Sequence, residues 1–106
     1  MIRAEVRKHK GNYISFESKG HAGYAEENYD IVCSAVSALV INAVNSLEKF
    51  TGDLFEAEDA DGYVSIRFKE ENSPEAKLLM DSLILGLTDV EKGLNNRYFK
   101  LIIREV

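Results

Sequence analysis

From Ile31 to Leu47 the chain carries no charged side chain, and this run constrains the fold more than any other feature. It is shorter than the roughly 20 apolar residues that span a bilayer. Cys33, Ser34, Ser37, Asn42, Asn45 and Ser46 also interrupt it. Val32, Val36, Leu39, Val40, Ala43, Leu47 and Phe50 recur at helical spacing, so the run reads as one long helix of a soluble domain. Asp30 is placed to cap its start and Gly52 to close it. A helix that covers one side of a sheet usually shows charges outward. This one shows none between Asp30 and Glu48, and Ile41 lies off the main stripe. A second surface is therefore expected over it: a partner copy in a homodimer first, with the exposed sheet face behind it. Packing between the sheet and a second helix is the plainer alternative.

The flanking segments alternate differently. Ile2, Ala4 and Val6 interleave with Arg3, Glu5 and Arg7, the period of a half-buried strand. A turn at Lys10-Gly11-Asn12 leads to a second strand over 13–17, with Ile14 and Phe16 expected on one face. Leu54–Glu58 and Tyr63–Phe68 flank Asp61-Gly62, a tight-turn pair, with Val64, Ile66 and Phe68 on one face. Ser73-Pro74 opens a second helix striped by Met80, Leu83, Ile84, Leu87 and Val90 and ended by Gly93. Tyr98–Val106 reads as a last strand. The order β-β-α-β-β-α-β, without linker or repeat, predicts one α+β domain over residues 1–106. Its expected form is one mainly antiparallel sheet with two helices packed on one face.

Charge and cysteine usage narrow the function. With 13 Lys+Arg against 18 Asp+Glu the net charge is −5. That argues against direct nucleic-acid binding through a basic footprint and suits a basic protein partner. One Cys in 106 residues allows no intrachain disulfide and fits a reducing, cytoplasmic setting. The N-terminal MIRAEVRKHK has alternating charges and no apolar core, so it is not read as a signal peptide.

Cys33 falls at the start of the long helix, where the macrodipole favours a thiolate. The backbone amides of Cys33 and Ser34 are candidate oxyanion donors. His21 lies in the preceding loop, within reach of the helix start, and a Cys–His pair there suffices for thiol acyl transfer. Asp30 either caps the helix or orients His21. Ser37, one turn after Cys33, either bonds a backbone carbonyl or braces the site. His9 sits in a charged strand end and reads as solvated. No cofactor is expected, and His21, Asp30 and Cys33 match no common metal spacing, so no metal is expected either. Taken alone, a lone Cys in an apolar run is equally a small core residue.

Gly20-His21-Ala22, a short loop, then Asp30-Ile31-Val32-Cys33 followed by Ala35, Ser37 and Ala38 closely resemble the ribosomal-processing cysteine protease family, Prp. The resemblance implies a Cys–His dyad of Cys33 and His21, with Asp30 and Ser37 at supporting family positions. It also implies a dimer, and removal of an N-terminal extension from the basic large-subunit ribosomal protein number twenty-seven during ribosome assembly. A loop containing Gly20, Ala22, Gly23 and Asn28 would then be mobile and bring His21 to Cys33. Ala25 and Asn28 stand where members carry glycine, which bears on how far that loop moves. Two other classes remain open on the residues themselves: a non-catalytic ribosome-associated binding module with Cys33 buried in the core, and a thiolate redox sensor.

Overall fold

The computed structural model describes residues 1–20, 29–60, 62–93 and 98–106, with residues 29 and 30 described by their backbone. Among the described residues five strands and two helices follow in the order β1 (Ile2–His9), β2 (Asn12–Lys19), α1 (Tyr29–Phe50), β3 (Phe55–Ala60), β4 (Tyr63–Phe68), α2 (Pro74–Gly93) and β5 (Phe99–Glu105). The strands form one sheet in the order β3-β4-β2-β1-β5. Every pairing is antiparallel except β1 with β5, so the sheet is mixed but mainly antiparallel.

Alternation decides which face is covered. Ile2, Ala4, Val6, Phe16, Ile66, Phe68 and Phe99 are buried and belong to one core cluster with Val32, Val36, Val40 and Leu47 of α1 and Ala76, Met80, Leu83 and Leu87 of α2. Arg3, Arg7, Lys19, Arg67 and Lys100 point to the other, uncovered face. Both helices therefore pack on one side. By length and composition α1 could cross a membrane; here its Val32–Leu47 stripe closes the core instead.

Three local expectations are corrected. Ile14 does not share a face with Phe16: the register slips between Arg7 and Lys8, so Ile14 is an extra residue of a bulge and is 40% exposed. The bulge turns Tyr13 inward, where Asn72 brackets its backbone by accepting from its N–H at 2.5 Å and donating to its carbonyl at 3.1 Å. Phe50 leaves the stripe and is 68% exposed. Gly52 does not close α1 through a left-handed cap, since it lacks the positive φ of Gly11, Gly20 and Gly62. Thr51 closes it instead, its N–H and hydroxyl both donating to the Leu47 carbonyl.

The second helix starts as its sequence implies. Ser73 Oγ accepts the Ala76 N–H at 3.1 Å, and Pro74 occupies the first helical position. Asp53 fixes that cap by accepting from the Ser73 N–H and hydroxyl at 2.8 and 2.5 Å.

Candidate active site

The connections place the start of α1. After its C-terminus the chain reaches Leu54, whose carbonyl accepts from Lys69 N–H just beyond β4. The N-terminus of this 22-residue helix, about 33 Å away, thus lies at the opposite end of the sheet. That end carries Gly20, Gly62 and Ile2. Gly20 N–H donates to the Gly62 carbonyl at 3.0 Å, and Ile2 N–H donates to the Tyr98 carbonyl at 3.0 Å.

Gly20, expected to be part of a mobile loop, packs closely against β1. Its φ is +154°, and a Cβ there would stand 2.7 Å from Ile2 Cα, a backbone atom that cannot step aside. The residue before His21 is therefore anchored between β1 and β4. His21, Ala22, Gly23 and Asn28 lie outside the described residues, so the structure does not place the proposed Cys–His pair. Sequence reasoning missed the clamp because Gly20 meets Ile2 only through strand pairing.

Cys33 is half-buried and packs against the core cluster, a position between the buried core residue and the exposed nucleophile. The helix starts at Tyr29, two residues earlier than an Asp30 cap requires. Asp30 thus belongs to the first turn. The first unpaired amides of a helix end before its fifth residue, so the N–H groups of Cys33 and Ser34 pair with the carbonyls of Tyr29 and Asp30. The Ser34 side chain is exposed. Ser37 is also exposed and shares the Cys33 flank one turn on.

That flank has a direction. Leu39 meets α2 at Gly86, where a Cβ would lie 3.1 Å from Leu39 Cδ2. At 100° per residue Cys33 points about 120° away from Leu39, hence away from α2. The crossover β2-α1-β3 spans β4, whereas β4-α2-β5 spans β2 and β1, and α2 packs over β5 and β2. So α1 covers the β4/β3 side, and Cys33, Ser37 and Val44 face the outer side over β3.

On the uncovered sheet face, Lys19, Arg3 and Lys100 form a basic row at the Gly20 end. Glu17 beside it accepts from Tyr63 Oη at 3.0 Å and pairs with Lys19 at 3.2 Å. Burial is the largest single influence on Glu17 and raises its pKa, but the Tyr63 and Lys19 hydrogen bonds with the Lys19 and Arg7 charges outweigh it and hold the carboxyl below its usual range. Among the described residues no group of three His, Cys, Asp or Glu side chains could hold a metal.

Residues 1–99 match the family described as cysteine protease Prp. The ribosomal processing cysteine protease Prp of Bacillus subtilis (strain 168) is 36% identical over 99 residues, covering 87% of this chain and 88% of that protein. The S. aureus protease Prp solved with a covalently linked product peptide superposes with a TM-score of 0.86 at 26% identity, over 98% of this chain and 100% of that one. The same protease solved with a substrate peptide gives a TM-score of 0.90 at 24% identity over 98% and 100%, a likeness of fold.

Proposed function

This chain belongs to the Prp family of cysteine proteases, and from that premise we propose that it removes the N-terminal extension of large-subunit ribosomal protein number twenty-seven, with Cys33 as nucleophile and His21 as general base and acid. The observation that carries the reading is the setting of Cys33: half-buried, just past the first turn of α1, on the flank that faces away from α2. The positive end of the helix lies one turn before the thiol and favours the thiolate. A peptide covalently linked to the S. aureus relative is in keeping with an acyl-enzyme route.

Cys33 Sγ attacks the scissile carbonyl carbon while His21 takes the thiol proton. The C–N bond then breaks as His21 returns that proton to the leaving amine. Water, deprotonated by His21, attacks the thioester carbonyl and releases the carboxylate and the thiol. Asp30 orients His21 or shapes the helix start, and Ser37 braces the flank. No step needs a cofactor.

The net charge of −5 supports encounter with a basic ribosomal protein in the cytoplasm. Ile31 and Ile41, 67% and 46% exposed on the uncharged outer side of α1, support a homodimer. Incubating the protein and its Cys33→Ala variant with the extended ribosomal protein and following substrate mass tests the reaction. Loss of a short N-terminal piece with the wild type alone establishes it. Cleavage by the variant, or none by either, overturns it. In the latter case, resistance of Cys33 to alkylation favours a binding module.

A further inference from the structure

Among the described residues the sheet has an open edge on the side that Cys33 faces: β3 is the terminal strand, paired there with β4 alone, and every residue from Glu56 to Ala60 is exposed. Alternate residues of such a strand turn their N–H and C=O groups outward, where an extended chain can pair with them. The strand's own charges are all negative: Glu56, Glu58 and Asp59 lie on it, with Arg67 of β4 opposite Glu56, and Glu48 continues the Cys33 flank of α1. Of these, Glu56 is partly neutralised by Lys69 at 3.2 Å. Ala57 and Asp59 point to the helix side, so the wall between strand edge and helix flank is small and acidic.

We propose that the open edge of β3 receives an extended, basic segment of the polypeptide substrate as a sixth strand, laying the chain alongside the Cys33 flank of α1. This rests on the protease reading above and specifies how that site holds its substrate. The main chain supplies pairing without sequence preference, while Glu58 and Asp59 select Lys and Arg side chains. A second copy is the poorer occupant, because edge-to-edge pairing would set these carboxylates against one another.

The test uses two peptides that share the cleavage segment of the ribosomal extension, one with a Lys-rich tail and one with those lysines replaced by Glu. On the full-length Cys33→Ala protein, the Lys-tailed peptide is expected to slow amide exchange at alternate β3 residues. With the active protein, Glu58→Lys/Asp59→Lys, checked for an unchanged Tm, raises KM for the Lys-tailed peptide about tenfold at unchanged kcat and moves the preference toward the Glu-tailed one. Cleavage with β3 exchange and KM unaffected overturns the docking edge and leaves the protease standing. Protection of β3 with no cleavage by the wild type does the reverse. Concentration-dependent protection of β3 without peptide assigns the edge to a second copy and overturns the proposal, and a peptide neither bound nor cut overturns both readings.

Discussion

Gly20 is the residue on which the candidate site hangs, because it fixes the backbone immediately before His21. A methyl group there meets the Ile2 backbone at 2.7 Å and finds φ at +154°. Gly20→Ala is therefore expected to lower stability by about 1–3 kcal/mol in urea titration and to reduce turnover with it. Tyr13 is a second such residue. Its hydroxyl donates to Asp81, and burial first, then that hydrogen bond and the Asp81 charge, raise its pKa well above 10.0. A raised folded value means the contribution is fully present below pH 10 and is lost as pH rises through the folded pKa. Tyr13→Phe should cost about 1 kcal/mol at neutral pH and flatten the alkaline loss, read from Tm against pH.

At the scale of elements, α2 depends on a relay from the end of α1. Asp53, just after the helix, holds Ser73, and Ser73 caps α2. Ser73→Ala should cost about 1 kcal/mol in thermal or urea unfolding. Asp53→Ala should cost a similar amount while leaving the Cys33 end untouched, so that kcat holds as Tm falls. The contact between the helices depends on a small residue: Gly86 leaves room for Leu39 and no more. A leucine at Gly86 would force α1 off α2, and its expected overpacking cost is about 1–3 kcal/mol.

For the whole molecule, acid titration and association are the informative measurements. Glu17 has a folded pKa below its ordinary 4.5, so its contribution is present above that value and is lost as pH falls through the folded pKa. Glu17→Gln is expected to flatten that acid limb in a Tm series, with the neutral-pH fold retained. If α1 forms the dimer surface proposed above, Ile41→Glu shifts the protein to monomer in sedimentation velocity, and an unchanged mass removes α1 from the interface. The same variant leaves the β3 edge unaltered, so the two surfaces are separable.

The order of the seven described elements, the buried stripes of both helices apart from Phe50, and the Ser73 cap are all legible in the sequence. Each of these is written in spacing or in neighbouring residues, and local periodicity is enough to read it. The motif around Gly20, His21, Asp30 and Cys33 was legible in the same way, and it named the family. Tertiary structure decided what depends on residues distant in the chain. The bulge at Ile14 exists because β2 must keep both Phe16 and Tyr13 inward against neighbours on other elements. Gly20 is a clamp only because β1 brings Ile2 against it, and Cys33 faces β3 only because α1 and α2 cross different strands. The pairing of Asp53 with Ser73 is likewise a meeting of two turns. Such contacts carry no period along the chain, since the partner's position is set by strand order and crossover rather than by the residue itself.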